Sequence, residues 1–279
     1  MEKLIYYFNN APDYHRVILL LASMLIFGGI EVFRSISNNY NKLKQFKLNA
    51  TFMLTAAPVQ VVFGLGIIYL LNLVAQNNWG ILNLLELKSS LTYFVVSFVL
   101  LDFFEYVYHV IMHKVYKLWS FHLVHHTDNV VNVSTTLREH PMETAIRLTF
   151  LLVWVAISGI TFWALIMRQF IQIVFNVFAH ANVRLPYLTN KIIAYVFVTP
   201  NIHHVHHHTI LPYTDTNYGD VLSIWDRFFG TFSELHETKT IFGIDTHTQI
   251  NENSSFVNLV QTPFIPYTKT TLLAPKLSK

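Results

Sequence analysis

The sequence predicts an all-α integral membrane bundle carrying a cytosolic, histidine-rich metal-binding cap. Three observations predict it. Hydrophobic residues make up 53% of the 279-residue chain and charged residues only 13%, against about 25% charged in ordinary soluble domains. Four stretches are long and apolar enough to lie in a bilayer. Fifteen histidines stand in a chain with no cysteine, and twelve of them fall between His109 and His208.

The four stretches are 17–33, 52–75, 91–112 and 146–178. The first is apolar until Glu31. The second is uncharged and exceeds the roughly 18 apolar residues that mark a crossing. In the third, Asp102, Glu105 and His109 interrupt the apolar run. The fourth is too long for one crossing, so it predicts two helices in a hairpin turning near Ser158 and Gly159. Gly64 and Gly66 fall inside the second stretch, where small residues favour close helix packing. The polar, mixed-charge residues 1–16 precede a long apolar run without a small-residue cleavage site, so they do not read as a cleavable signal.

Basic residues set the orientation. Loop 34–49 carries Arg34, Lys42, Lys44 and Lys47 and no acid, whereas loop 76–90 carries Glu86 and Lys88. The first loop is therefore expected on the cytoplasmic side. Counting crossings from there puts every histidine cluster on the same side.

Composition also excludes several classes. Without cysteine there is no disulfide, thiolate zinc site, cysteine-held iron–sulfur cluster or thiolate haem. A formal net charge of +3 with no long basic run gives no footprint for nucleic acid.

The histidines fall into three clusters and a single residue. His109 and His113 stand four apart, on one face of a helix. In the second cluster, His122, His125 and His126 have the i, i+3, i+4 spacing that lets them share a face. The third runs His203-His204-Val-His206-His207-His208, and two registers reproduce that spacing: His203, His206 and His207, or His204, His207 and His208. His180 closes the hairpin. One imidazole in an apolar stretch is usually a hydrogen-bonded core residue. Three clusters with repeated spacing on one membrane face point to a shared metal site. Asp102, seven residues before His109, and Glu105, four before it, are placed to accept the second ring N–H of a ligand. Asp226 could do the same or pair with Arg227, and Asn176 could reach a metal-bound water. His140 reads as structural.

The residues carrying these clusters resemble the fatty acid hydroxylase/sterol desaturase superfamily over about 102–232. The matching motifs are Asp102-Phe-Phe-Glu-Tyr-Val-Tyr-His109-Val-Ile-Met-His113, Trp119-Ser-Phe-His122-Leu-Val-His125-His126, Asn132-Val-Ser-Thr-Thr-Leu-Arg138-Glu-His140-Pro141, Thr199-Pro200-Asn-Ile-His203-His204-Val205-His206-His207, Asn217-Tyr218-Gly219 and Trp225-Asp226-Arg227-Phe228-Phe229-Gly230. Val110 stands where the family often has Arg. The resemblance favours the His203, His206, His207 register. The ligand set is then His109, His113, His122, His125, His126, His180, His203, His206 and His207. Nine imidazoles fill two metals at four to five each, whereas one tetrahedral zinc takes four.

The resemblance implies two iron ions (with zinc as a substitute on purification), O2, a membrane lipid whose C–H bond is hydroxylated or desaturated, and a separate electron donor such as a reductase, ferredoxin or cytochrome. Two rival readings are a zinc-dependent membrane hydrolase and a metal transporter. The latter is disfavoured because transporters place ionisable residues near the bilayer midplane. The expected organisation is membrane helices and a cytosolic loop over 1–101, a histidine-box catalytic domain over 102–232 including the 146–178 hairpin, and an irregular cytosolic tail over 233–279. The Asn-, Lys- and Ile-rich composition leans towards a bacterial inner membrane.

Overall fold

The structure is a computed structural model, and it describes residues 1–10, 14–38, 40–235, 240–246 and 253–266. Among them all regular structure is helical, with only isolated β-bridges. Five helical stretches are long and apolar enough to cross a membrane, which makes the chain a multi-pass membrane protein. They begin with α2 (Tyr14–Arg34), which follows the short α1 (Glu2–Asn10), and α3 (Lys42–Asn77), whose apolar stretch runs on through α4 (Ile81–Leu84). Next come α5 (Ser90–Lys114), α7 (Pro141–Ser158) and α8 (Phe162–His180). α6 (Tyr116–His126), a 3₁₀ turn (Val133–Leu137) and the short helices α9 (Tyr187–Ile193), α10 (Pro200–His206) and α11 (Ile224–Phe229) build the histidine-rich end. Outward-facing side chains on the crossings are large and apolar, as with Leu25 (77% exposed) and Phe33 (86%). Such a surface is stable against lipid and unstable against water.

α3 is longer than a crossing needs. Its 36 residues rise about 54 Å against a hydrocarbon core of about 30 Å. Asn41 caps it by accepting the Lys44 N–H (2.9 Å). Its first turns then stand among the histidine-end loops, where Asn49 donates to Asp128 (3.2 Å) and Ser134 (2.9 Å). The hairpin turns where the sequence expected. Gly159, at φ 70°, ends α7 in the left-handed conformation. A Cβ on Gly159 would lie 2.1 Å from the Trp79 carbonyl oxygen, and one on Gly80 2.2 Å from the Gly159 nitrogen. These two glycines let the α3–α5 connection and the hairpin turn touch at the end remote from the histidines.

Glu31 has a role the sequence did not show. It is buried near the end of α2, and Oε1 accepts the backbone N–H of Val133 (2.8 Å) and of Asn182 (2.7 Å). One carboxylate thus ties α2 to the 3₁₀ turn and to the chain leaving α8. Glu31→Leu leaves two buried donors without an acceptor, at about 1–3 kcal/mol each. The thermal unfolding midpoint in detergent is expected to fall by about 5–10 °C. Glu31→Gln, which keeps an acceptor oxygen, should lose less than half of that.

The tail departs from expectation in its described part. It forms α12 (Phe256–Gln261) and a 3₁₀ turn (Thr262–Phe264). Leu259 is fully buried with Phe52 and Val124, and Phe264 sits against Phe121. The apolar residues Phe256, Leu259 and Val260 supply one helical face, which the surrounding polar residues obscured. The remainder of the 233–279 expectation, at 236–239, 247–252 and 267–279, lies outside the described residues.

Candidate metal centre

The nine expected histidines converge. Their ring nitrogens form two groups, each with all donor atoms within 4.8 Å of one another: His109, His113, His122, His126 and His206, and beside them His125, His180, His203 and His207. The groups adjoin, with the His126 and His207 rings stacked at 4.5 Å. Helical phase explains the division. Neighbours in sequence point about 100° apart on a helix of 3.6 residues per turn, so His125 and His126 serve different groups, as do His206 and His207. The i, i+4 pairs stay together: His109 with His113, His122 with His126, and His203 with His207.

Each group is oriented from behind. His109 donates its Nδ1–H to the Tyr218 carbonyl (2.9 Å), His206 to Thr216 (2.8 Å), His125 to Arg138 (3.1 Å) and His180 to Asn176 (2.8 Å). His122 donates to Glu143 (2.5 Å), and His113 lies 3.4 Å from Asp215. These bonds fix the proton on Nδ1 and leave Nε2 as a lone pair.

The Nε2 atoms then face one another. His109 and His122 approach to 3.1 Å, and His125 and His180 to 3.0 Å. Both partners in each pair have already committed Nδ1–H elsewhere, so neutral rings have no proton to share. Protonation is disfavoured, because burial lowers His122 to about 4 and His125 well below its usual range. Nε2 of His206 is buried with no hydrogen-bond partner among the described residues. Opposed lone pairs, neutral rings and an orphaned donor are the arrangement that a bound cation resolves. The residues present therefore fit two metal ions held by five and four imidazoles.

The backing groups are themselves anchored. Asp128 pairs with the buried Arg138 (2.9 Å) and accepts from Thr135 (2.8 Å), which sets the carbonyl that holds His125. Asp226 accepts from the Tyr218 N–H (2.7 Å), the Gly219 N–H (2.9 Å) and Thr231 (2.7 Å). That fixes the segment 215–218, from which Asp215, Thr216 and Tyr218 reach three members of the five-histidine group.

Several expected residues act differently. Asp102 accepts from the Val221 and Leu222 N–H groups (3.2 Å each) and from Trp225 Nε1 (2.8 Å), with no histidine among its described partners. The reason is distance: seven residues of helix rise about 10.5 Å, beyond a carboxylate's reach. Glu105 faces Arg168 (3.7 Å) instead of a histidine. Asp226 has no histidine among its described partners, and Arg227 forms no salt bridge with it among the described residues but lies over the Phe232 ring at 3.6 Å. Asn176 contributes its carbonyl to His180. His204 packs on Phe242 and His208 accepts from the Ile210 N–H, so both fall outside the two groups. His140 caps α7 through the Met142 N–H (3.1 Å) and bonds the Val260 carbonyl (3.2 Å). Glu143 and Asp215 were missed, since contacts spanning 21 and 102 residues leave no local signal.

The fatty acid hydroxylase family model matches residues 94–231, the span that holds all nine histidines. The chain belongs to the fatty acid hydroxylase family. Curated relatives agree. An alkylglycerol monooxygenase of Caenorhabditis elegans is 30% identical over 194 residues, 68% of this chain and 36% of that protein. An ornithine lipid hydroxylase of Rhizobium tropici is 28% identical over 50% of this chain and 41% of that protein. The human alkylglycerol monooxygenase is 29% identical over 54% of this chain and 32% of that protein. The match thus spans a third to two fifths of the length of these relatives. No solved structure matches this fatty acid hydroxylase family member at a significant level.

Proposed function

We propose that this chain is a membrane-embedded non-haem di-iron oxygenase that hydroxylates a C–H bond of a lipid. The observation that carries the reading is the pair of adjoining imidazole groups at the end of the membrane helices. Relatives named as lipid hydroxylases and monooxygenases support it. Five nitrogens in one group exceed the four of a tetrahedral zinc site, which favours iron over the hydrolytic alternative.

His109, His113, His122, His126 and His206 would hold one ion and His125, His180, His203 and His207 the other. Bound there, a redox metal pair supplies O2 reduction: RH + O2 + 2e⁻ + 2H⁺ gives ROH + H2O. The protein's own part is placement and dryness. Trp119 packs at 4.6 Å from His113 and 5.2 Å from His126, and Tyr218 at 5.1 Å from His113, which shields these two imidazoles from water. His109 and His125, one from each group, are the half-buried members. They give the lipid its approach.

The 102–232 segment is the catalytic unit in this reading, with the described residues of 1–101 and of the tail packed against it. Electrons come from a separate reductase, ferredoxin or cytochrome. The metal end carries Arg34, Lys42, Lys44 and Lys47, so it faces the cytoplasm; the bacterial inner membrane is the proposed location. The test is protein purified after expression with iron, incubated with lipid, a reductant and isotopically labelled O2. The expected result is about two irons per chain, as the donor sets require, and label in the lipid alcohol. Turnover without O2 on zinc-loaded protein would overturn the proposal.

A further inference from the structure

A patch of exposed apolar side chains crosses the histidine-rich end. Between His180 and His203 the chain runs through α9, and none of that helix's residues is buried. Leu188 (70% exposed) and Ile192 (75%) stand one turn apart on α9, and Tyr195 (68%) follows on the same face. Phe228 (79%) and Phe229 (49%) are exposed on α11. The two sets adjoin, because Arg227 of α11 donates to the Ala194 carbonyl (3.1 Å) and lies over the Tyr195 ring at 5.3 Å. Single exposed apolar residues are ordinary, but a contiguous set marks an interaction surface. A helix as short as α9 is also well below the roughly 12–15 residues at which an isolated helix is marginal in water. Burial against something must help to hold it.

The patch continues the lipid-facing surface of the crossings. Leu91, Val95 and Val99 are exposed at successive i, i+4 positions of α5, and the next residue on that face is Phe103. Phe229 stacks on Phe103 at 5.9 Å and on Tyr106 at 5.3 Å. On the other side, Phe197, just beyond α9, stacks on Phe175 of α8 at 5.3 Å. Both short helices are thus fastened to crossings on the bilayer side of the metal groups. Charge agrees with that position. Segment 181–199 contains Arg184 and Lys191 and no acid. Those two and Arg227 are exposed, whereas Asp226 is buried. Aliphatic and aromatic side chains edged by Lys and Arg are the composition of a membrane interface, and anionic headgroups attract each such cation.

We propose that α9 and α11 lie in the bilayer leaflet on the metal side, with Leu188, Ile192 and Phe228 among the outer acyl chains and Arg184, Lys191 and Arg227 among anionic headgroups. The histidine-rich cap is then sunk into the leaflet and not raised clear of it. The anchoring rings set the depth. His109 is three residues beyond Tyr106, about 4.5 Å along α5, and His180 is five beyond Phe175, about 7.5 Å along α8. The headgroup layer is about 5–8 Å thick on each side of the hydrocarbon core. Both histidine groups therefore lie at headgroup depth. That last step rests on the metal reading above, whereas the insertion of the two helices does not.

The chain has no cysteine, so a single introduced thiol reports one position. Leu188→Cys, Ile192→Cys and Phe228→Cys, all at exposed sites outside the histidine groups, are labelled with bimane in iron-loaded full-length protein in nanodiscs of phosphatidylcholine and phosphatidylglycerol. Leu25→Cys serves as the hydrocarbon reference and the exposed Lys117→Cys as the water reference. The labels at 188, 192 and 228 are expected to be quenched by lipid carrying a nitroxide at the headgroup end of its acyl chain, and to lose the iodide quenching seen at 117. At position 188, beside Lys191, a nitroxide on phosphatidylglycerol should quench more strongly than one on phosphatidylcholine, by up to about fivefold, and Lys191→Glu should abolish the difference. Iodide quenching equal to that at 117 puts the patch in water and overturns the proposal. Shielding from both quenchers means that a second copy of the chain or another protein covers the patch, which overturns it too. Best quenching by a nitroxide at the methyl end, as at Leu25, overturns the headgroup depth, and no preference for phosphatidylglycerol overturns the assignment of the cations. Loss of the two-iron count with quenching unchanged would fail the metal reading and leave the insertion standing; iodide-exposed labels on an active, iron-loaded oxygenase would do the reverse.

Discussion

His206→Ala and His207→Ala, adjacent substitutions of the same kind, are expected to damage different metals. His206 belongs to the five-histidine group and His207 to the four-histidine group. Removing His206 leaves four nitrogens, enough for a tetrahedral ion, whereas removing His207 leaves three. Both variants should lose more than about a hundredfold of activity, since even the groups behind metal ligands are worth 10–100-fold. Metal content should separate them. His207→Ala should retain about one iron per chain, the five-imidazole site being intact, and His206→Ala should bind two but release one readily to a chelator. His204→Ala and His208→Ala should keep both irons. Iron-57 Mössbauer spectra of the four proteins are the check. Identical spectra and metal counts for His206→Ala and His207→Ala would show that the groups are not two centres.

This division was only half legible in the sequence. Spacing alone brought out His109 with His113 and His122 with His126, because i, i+4 neighbours share a helix face whatever the tertiary structure; it left His203 with His207 and His204 with His208 level, and the resemblance chose between them. How His125 separates from His126 depends on where α8 and α10 sit around α6, and no local pattern carries that. Apolar length likewise located the crossings and the hairpin turn, since the demands of a bilayer are one-dimensional. The buried carboxylates Asp102 and Asp226 were misjudged for the opposite reason. Asp102 serves loop backbone distant in sequence, as Glu31 does, and Asp226 serves the turn at Tyr218 and Gly219. A carboxylate's best partners in a dry interior are backbone N–H groups as readily as imidazoles. Proximity to a histidine along the chain was therefore a poor guide, and the rise of the helix between Asp102 and His109 was the better one.

Asp226→Asn should weaken metal binding in one group although Asp226 has no histidine among its described partners. Its two oxygens accept three hydrogen bonds, two of them from the backbone of Tyr218 and Gly219. An amide at that position directs an NH2 at a backbone N–H, so at least one of those bonds becomes a repulsion. The segment it holds supplies the carbonyls of Tyr218 and Thr216 and the carboxylate of Asp215 to His109, His206 and His113. Three of five imidazoles in that group lose their fixed orientation together, while the backing of His125 and His180 comes from Arg138 and Asn176 and is untouched. The expected outcome is a 10–100-fold loss of affinity for one of two irons, followed by chelator titration, with the second unchanged. Gly219→Ala should reproduce it by a different route, since a Cβ there would lie 2.5 Å from the Leu222 carbonyl oxygen and 3.0 Å from Asp226 Oδ2. A general loss of folding would strip both irons at once. Selective loss in both variants would mean that the 215–219 segment, which supplies no imidazole of its own, governs one metal and leaves its neighbour alone.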